Sequence, residues 1–182
     1  MSLDTLWAGW RSDYITSVTS ATPDAPVDPT AEPGPSGAEP APCVFCRIAA
    51  SGPPSADNGV LWRGACTYAV LNAYPYASGH LMAVPTRHVG SLAELGEEEA
   101  VELWSALRNG VAALEKALGP EGVNLGANLG QAAGAGIPRH LHLHAVPRWL
   151  GDTNFMTSVA GVRVLPEALT VTWERLHRAW PD

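Results

Sequence analysis

Three histidines, His140, His142 and His144, alternate with Leu141, Leu143 and Ala145. In an extended strand this two-residue spacing puts the three imidazoles on one face and the apolar residues on the other, towards a core. Neutral imidazole is a nucleophile and a base, and a pKa near 6.5 leaves much of it neutral at pH 7. Just upstream lies a glycine-rich bend, Gly130-Gln131-Ala132-Ala133-Gly134-Ala135-Gly136. Such a bend can turn backbone N–H groups towards an oxyanion. A nucleophile, its neighbours and an anion cradle therefore fall within one short stretch. A lone histidine is usually structural, but three in strict alternation after such a bend point to chemistry. A three-histidine metal centre is the alternative; it would ordinarily add a carboxylate or another ligand. After His144 the chain offers no aspartate until Asp152.

A second group is Cys43-Val44-Phe45-Cys46; the remaining cysteine is Cys66. Three cysteines cannot all pair within one chain. In a reducing compartment the Cys-x-x-Cys spacing reads as metal binding or redox before it reads as a disulfide. A metal would need two further ligands, and a pair of reduced buried thiols is the alternative.

The elements that must position these groups can be read from periodicity. Val60-Leu61-Trp62, Thr67 to Leu71 and His80 to Pro85 read as three strands, with a Pro- and Gly-containing turn from Asn72 to Gly79. From about Gly96 to Leu118, the residues Leu103, Trp104, Leu107, Val111, Leu114 and Leu118 recur at helical spacing. Glu97, Glu98 and Glu99 suit its first turn, and Gly119-Pro120 ends it. Val123 to Leu129 and Arg139 to Ala145 alternate as two more strands. A second amphipathic helix is expected from about Pro166 to Trp180, with His177 at its surface, and Cys66 is expected in the core. The order predicts an α+β domain: an antiparallel sheet of about five strands, one long helix, a C-terminal helix, and helices against one face.

The 182 residues suffice for one domain with a substantial core. Residues 17–42 are rich in Pro, Ala, Ser and Asp, and read as a flexible tether. Residues 1–16 carry Trp7, Trp10, Tyr14 and Ile15, which are costly to leave in water and predict a segment that docks on the body or on a partner. A net charge of −7 and a single lysine, Lys116, argue against general nucleic-acid binding. No apolar run approaches a membrane span, and the N-terminus lacks a signal-peptide pattern, so a cytoplasmic protein is expected.

The run Ala135-Gly136-Ile137-Pro138-Arg139-His140-Leu141-His142-Leu143-His144-Ala145-Val146-Pro147 resembles the signature of the histidine triad (HIT) family, His-φ-His-φ-His-φ-φ with φ apolar. Asn72, Ser78-Gly79-His80-Leu81 and Pro85-Thr86-Arg87-His88-Val89 match further blocks. Leu6 to Ile15 is similar to a leader of some members. The resemblance covers nearly the whole chain outside the tether. It implies an α+β HIT-like fold over 43–182, usually a homodimer, that cleaves nucleoside phosphoanhydrides or phosphoramidates at the α-phosphate. His142 matches the nucleophile, which forms a nucleotidyl-histidine. His144 would hydrogen-bond a phosphate oxygen or the leaving group, and His80 would help orient the triad. Asn72 would hold the ribose, while Asn128 and the Gly134 to Gly136 bend would hold phosphate. No organic cofactor is implied.

Val146-Pro147-Arg148-Trp149 and Gly151 to Met156 further resemble a branch of the family associated with diadenosine tetraphosphate phosphorylase and hydrolase activity. There Trp149 would pack near a base, ordinary core or dimer packing being the alternative. Some phosphorylases of that branch carry Gly-Ser where this chain has Ala135-Gly136, so a hydroxyl for an attacking phosphate is missing and hydrolysis is favoured. Some HIT-like proteins complete a zinc site with a histidine after the third strand and the first triad histidine. Here that set is Cys43, Cys46, His88 and His140, and a structural zinc is expected. The implied function is a nucleotidyl hydrolase or transferase on dinucleoside polyphosphates. A nucleoside phosphoramidate hydrolase and a non-enzymatic nucleotide-binding adaptor are the alternatives.

Overall fold

The structure, a computed structural model, describes residues 43–152 and 167–181. The expected docking segment, the tether and the stretch from Thr153 to Met156 lie outside the described residues. Five strands form one antiparallel sheet: β1 (Val60–Arg63), β2 (Thr67–Leu71), β3 (Leu81–Pro85), β4 (Gly122–Gly126) and β5 (Leu143–Arg148), in the order β1-β2-β3-β5-β4. Among the described residues three α-helices accompany it: α1 (Val44–Ala49), α2 (Glu97–Leu118) and α3 (Leu169–Ala179).

The strands alternate, and both faces of the sheet are covered. Leu61, Ala69, Leu71, Leu81, Ala83, Leu141 and Ala145 meet Leu103, Ala106, Leu107, Ala113 and Leu114 of α2 and Leu176 of α3. On the other face Val60, Tyr68, Val70, Met82 and Val84 pack with Cys43 and Phe45. The expectation of helices against one face is corrected by α1, a six-residue helix too short to show a period. Trp104, although at helical spacing, is 60% exposed, because the buried stripe of α2 runs through Leu103, Ala106, Leu107 and Gly110. Gly110 permits this close approach: a Cβ there would stand 2.9 Å from Leu81 Cδ1.

The histidine segment differs from expectation in one instructive way. The strand begins at Leu143, so only His144 lies on it, while His140 and His142 precede it. The β3–β5 register pairs Ala83 with Leu143, which brings Pro85 opposite Leu141. Proline has no N–H to continue the ladder. Leu141 N–H donates instead to the Val89 carbonyl at 2.6 Å, and the Pro85 carbonyl is taken by the His140 ring at 2.9 Å. The inside–outside alternation survives the loss of the ladder: Leu141 and Ala145 are buried in the α2 face, and His144, paired with Met82, belongs to the α1 face. β4 likewise ends at Gly126, so Asn128 and Leu129 stand in the loop that follows rather than in the strand.

Candidate active site and metal cluster

The sheet gathers four histidines at the α1 face. His80 is wholly buried at the end of a tight turn, closed by Asn72 N–H donating to the His80 carbonyl at 2.9 Å. Gly79 makes that turn with φ +90°, a conformation that favours glycine. The Tyr76 backbone N–H donates to His80 Nδ1 at 3.1 Å, and Asn72 Nδ2 approaches the same nitrogen at 3.3 Å. A backbone amide can only donate, so His80 Nδ1 is an acceptor and the ring proton sits on Nε2. His80 Nε2 then donates to His144 Nδ1 at 2.9 Å. His144 in turn carries its proton on Nε2, a buried atom that meets no hydrogen-bond partner among the described residues.

His142 is held by a different device. Its Nδ1 lies 2.7 Å from the carbonyl oxygen of His140, which can only accept. Nδ1 therefore carries the proton and Nε2 keeps the lone pair. The ring is 6% exposed and stands edge-on to His144, with centroids 4.9 Å apart. Burial is the main cause that lowers the pKa values of His140 and His142, and it pushes His144 down to about 4, with His142 adding a smaller push. All three rings are thus neutral at pH 7. The pair presents a lone pair on one nitrogen beside a donor on the next.

The four metal-candidate residues also come together. The ligand atoms of Cys43, Cys46, His88 and His140 all lie within 4.8 Å of one another. Cys43 Sγ is 3.5 Å and Cys46 Sγ 3.7 Å from His140 Nδ1, and Cys46 Sγ is 3.3 Å from His88 Nδ1. The Pro85 carbonyl accepts from His140 Nε2, which fixes the tautomer with a bare Nδ1 facing the two sulfurs. Ligating histidines are ordinarily oriented by an outer hydrogen bond of this kind. Burial, followed by the neighbouring Cys43, raises the Cys46 thiol to about 11. A cation among the sulfurs would reverse that preference.

The other predicted residues are placed as follows. Asn72 joins the histidines through His80 and also accepts the Tyr74 N–H at 2.9 Å. Asn128 Nδ2 donates to the Gly134 carbonyl at 3.4 Å, inside the glycine-rich bend. That bend contains a 3₁₀ turn, Gln131–Ala133, between Gly130 and Gly134 at φ +80° and +88°, and Gly136 lies just beyond it. The N–H groups of Ala133, Gly134 and Ala135 are used within the bend. Trp149 is half-buried just past the end of β5, five residues from His144, or about 17 Å along the strand. Cys66 is only partly buried, beside Glu102, and not in either core cluster. His177 is a surface residue, as expected, with its ring against the Leu61 carbonyl at 3.0 Å. Phe45 was not among the expected site residues, yet its ring reaches both His140 and His142. Its position between the two cysteines was the available signal.

Comparisons with known proteins identify the family. The HIT domain family model matches residues 55–149. An AP-4-A phosphorylase of Mycobacterium tuberculosis is 38% identical over 182 residues, spanning 98% of this chain and 85% of that protein. The asymmetrical bis(5'-nucleosyl)-tetraphosphatase of Schizosaccharomyces pombe is 31% identical over 51% of this chain and 50% of its own. Among solved structures, a Zn-bound histidine triad family protein from Mycobacterium smegmatis superposes with a TM-score of 0.61 at 26% identity, covering 75% of this chain and 91% of that one. A histidine triad nucleotide-binding protein of Sulfolobus tokodaii shares the fold, with a TM-score of 0.61 at 24% identity over 75% and 91% of the two chains. The chain belongs to the HIT family and is one of its enzymes.

Proposed function

We propose that this enzyme cleaves dinucleoside polyphosphates at the α-phosphate, through a nucleotide held covalently on His142. The observation that carries the reading is the pairing of tautomers: His142 Nε2 bears a lone pair, and the adjacent His144 Nε2 bears a proton with no partner among the described residues. His142 Nε2 attacks the α-phosphorus, and the P–O bond to the leaving polyphosphate breaks as the N–P bond forms. His144 Nε2–H hydrogen-bonds the oxygen that gains charge. Water then attacks the same phosphorus and releases the nucleotide and a free imidazole. Splitting one difficult displacement into two is the logic of covalent catalysis, and a positioned donor typically contributes 10² to 10⁴ in rate. Asn72, Asn128, Gly136 and Trp149 are the proposed contacts to nucleotide; the Gly134 N–H already donates to the Gln131 carbonyl and is not offered to phosphate.

Water is the proposed acceptor because the bend from Gly130 to Gly136 contains no hydroxyl side chain to hold a second phosphate. Incubation with diadenosine tetraphosphate, with and without inorganic phosphate, tests this by chromatography of products. AMP and ATP in both reactions are expected. ADP and ATP that form only with phosphate would overturn the choice of acceptor, and no cleavage would overturn the reading.

Zinc is the metal the donor set fits. With Zn–S near 2.3 Å and Zn–N near 2.0–2.1 Å, tetrahedral geometry separates S and N ligands by about 3.6 Å. The observed S···N distances run from 3.3 to 3.7 Å. Cys43, Cys46, His88 and His140 would hold the ion as a cross-link between α1, the end of β3 and the histidine segment. All four positions would be protein ligands, so an ion there would supply structure. We further propose that the working unit is a homodimer. Among the described residues β4 is an unpaired edge of the sheet, and Leu125 and Leu129 beside it are 47% and 48% exposed.

A further inference from the structure

The cluster and the nucleophile share both of their anchors. His140 offers its ring Nδ1 to the two cysteines and its backbone carbonyl to His142 Nδ1. The turn from Cys43 to Cys46 supplies two cluster ligands and, between them, the Phe45 ring. That ring is 3% exposed. It stands 4.9 Å from the His142 centroid at a 45° tilt and meets His140 edge-on at 5.3 Å. One hydrogen bond at Nδ1 leaves an imidazole free to pivot about that bond. Phe45 on one side and His144 at 4.9 Å close off the pivot. Phe45 is itself fixed, because Tyr68 Oη donates to its carbonyl at 2.8 Å.

We propose that Phe45 is a positioning residue for the nucleophile, through which the Cys43, Cys46, His88 and His140 cluster holds the His142 ring at the angle the reaction needs. Its phenyl ring carries no group that could react with phosphorus or ligate a metal. This rests on the proposed role of His142, so the test includes a readout that needs no substrate.

The full-length, metal-loaded protein is compared in three forms: unchanged, Phe45→Leu and Phe45→Ala. Leucine keeps most of the volume and removes the ring, so at least one variant retains the fold, checked by circular dichroism. Metal content per chain is measured by mass spectrometry. The His142 imidazole is read by long-range proton–nitrogen NMR, which reports its tautomer and the exchange of its Nδ1–H. Both variants should keep the metal while the His142 Nδ1–H signal broadens or is lost. Stripping the metal from the unchanged protein should do the same. In turnover assays kcat should fall roughly ten- to hundredfold with KM within about twofold, the size expected of a small misplacement. An unaltered His142 spectrum in both variants, or after metal removal, would overturn the proposal. So would loss of metal together with the signal in both variants, since Phe45 would then act on the cluster alone. If the unchanged protein cleaves no dinucleoside polyphosphate, the activity reading fails while the spectra still decide this one.

Discussion

At the scale of single residues, the histidine cluster is ordered by fixed tautomers. Two backbone groups do this, one at each end of the histidine set: the Tyr76 N–H forces His80 to accept, and the His140 carbonyl forces His142 to donate. Protein dipoles fixed in advance need no reorganisation as charge develops, which is where such sites gain most. The arrangement also has a cost that can be measured. His144 has a pKa of about 4 when folded, against an ordinary 6.5, because burial disfavours its charged form. Between those values the unfolded chain binds the extra proton and the folded chain does not. This contribution is therefore complete above pH 6.5 and is lost as pH falls towards 4, and His140 and His142 are shifted the same way. Denaturation midpoints measured from pH 7 to pH 4 should fall steadily, and less steeply for His144→Asn. A slope that His144→Asn leaves unchanged would show that His144 is not neutral by burial. The residue types were legible in the sequence. The tautomers were not, because the groups that set them are backbone atoms that every residue possesses.

At the scale of elements, the turn between β2 and β3 and the start of β5 decide where the imidazoles stand. Gly79 precedes His80 at φ +90°, and a Cβ there would meet Leu118 and Leu114 at the end of α2. Gly79→Ala combines an unfavourable backbone with overpacking. It should destabilise the fold by about 1–3 kcal/mol. Chemical denaturation gives the value, and an unchanged midpoint would mean that the turn relaxes without strain. The sequence placed this turn, α2 and the three strands before it within a residue or two, because long periods and Gly/Pro punctuation carry that information. It ran the last strand from Arg139 to Ala145, because alternation continues through His140 and His142 even where no ladder exists. The missing ingredient was long-range: Pro85, 56 residues before Leu141, removes the donor that the ladder would need. α1 was missed for want of length, and with it the role of Phe45.

At the scale of the whole molecule, one face of the sheet is packed under the two long helices and the other gathers the histidines and cysteines. The long helix α2 and α3 cover the first, with Leu107, Leu114 and Leu176 fully buried. The second carries α1, the cluster and the histidines. None of the described helices is long and apolar enough to cross a membrane. The β4 edge, unpaired among the described residues, is short and bears exposed Leu125, a liability that natural sheets ordinarily cover. Light scattering should return twice the 19.1 kDa chain mass. A monomer at micromolar concentration would contradict the dimer, and the β4 edge would then need another partner. The candidate metal set was legible from residue spacing only once a family resemblance supplied His88 and His140. Composition alone left Cys43 and Cys46 without partners.

On the proposed mechanism, His142 attacks phosphorus and carries the nucleotide. Rapid acid-free quenching of the enzyme with radiolabelled diadenosine tetraphosphate, followed by peptide mapping, tests it directly. A nucleotidyl adduct is expected on the peptide containing His142, formed and consumed at the rate of turnover and absent from His142→Asn, which should lose activity by several orders of magnitude. Turnover without any adduct on that peptide, or near-normal activity in His142→Asn, would contradict it.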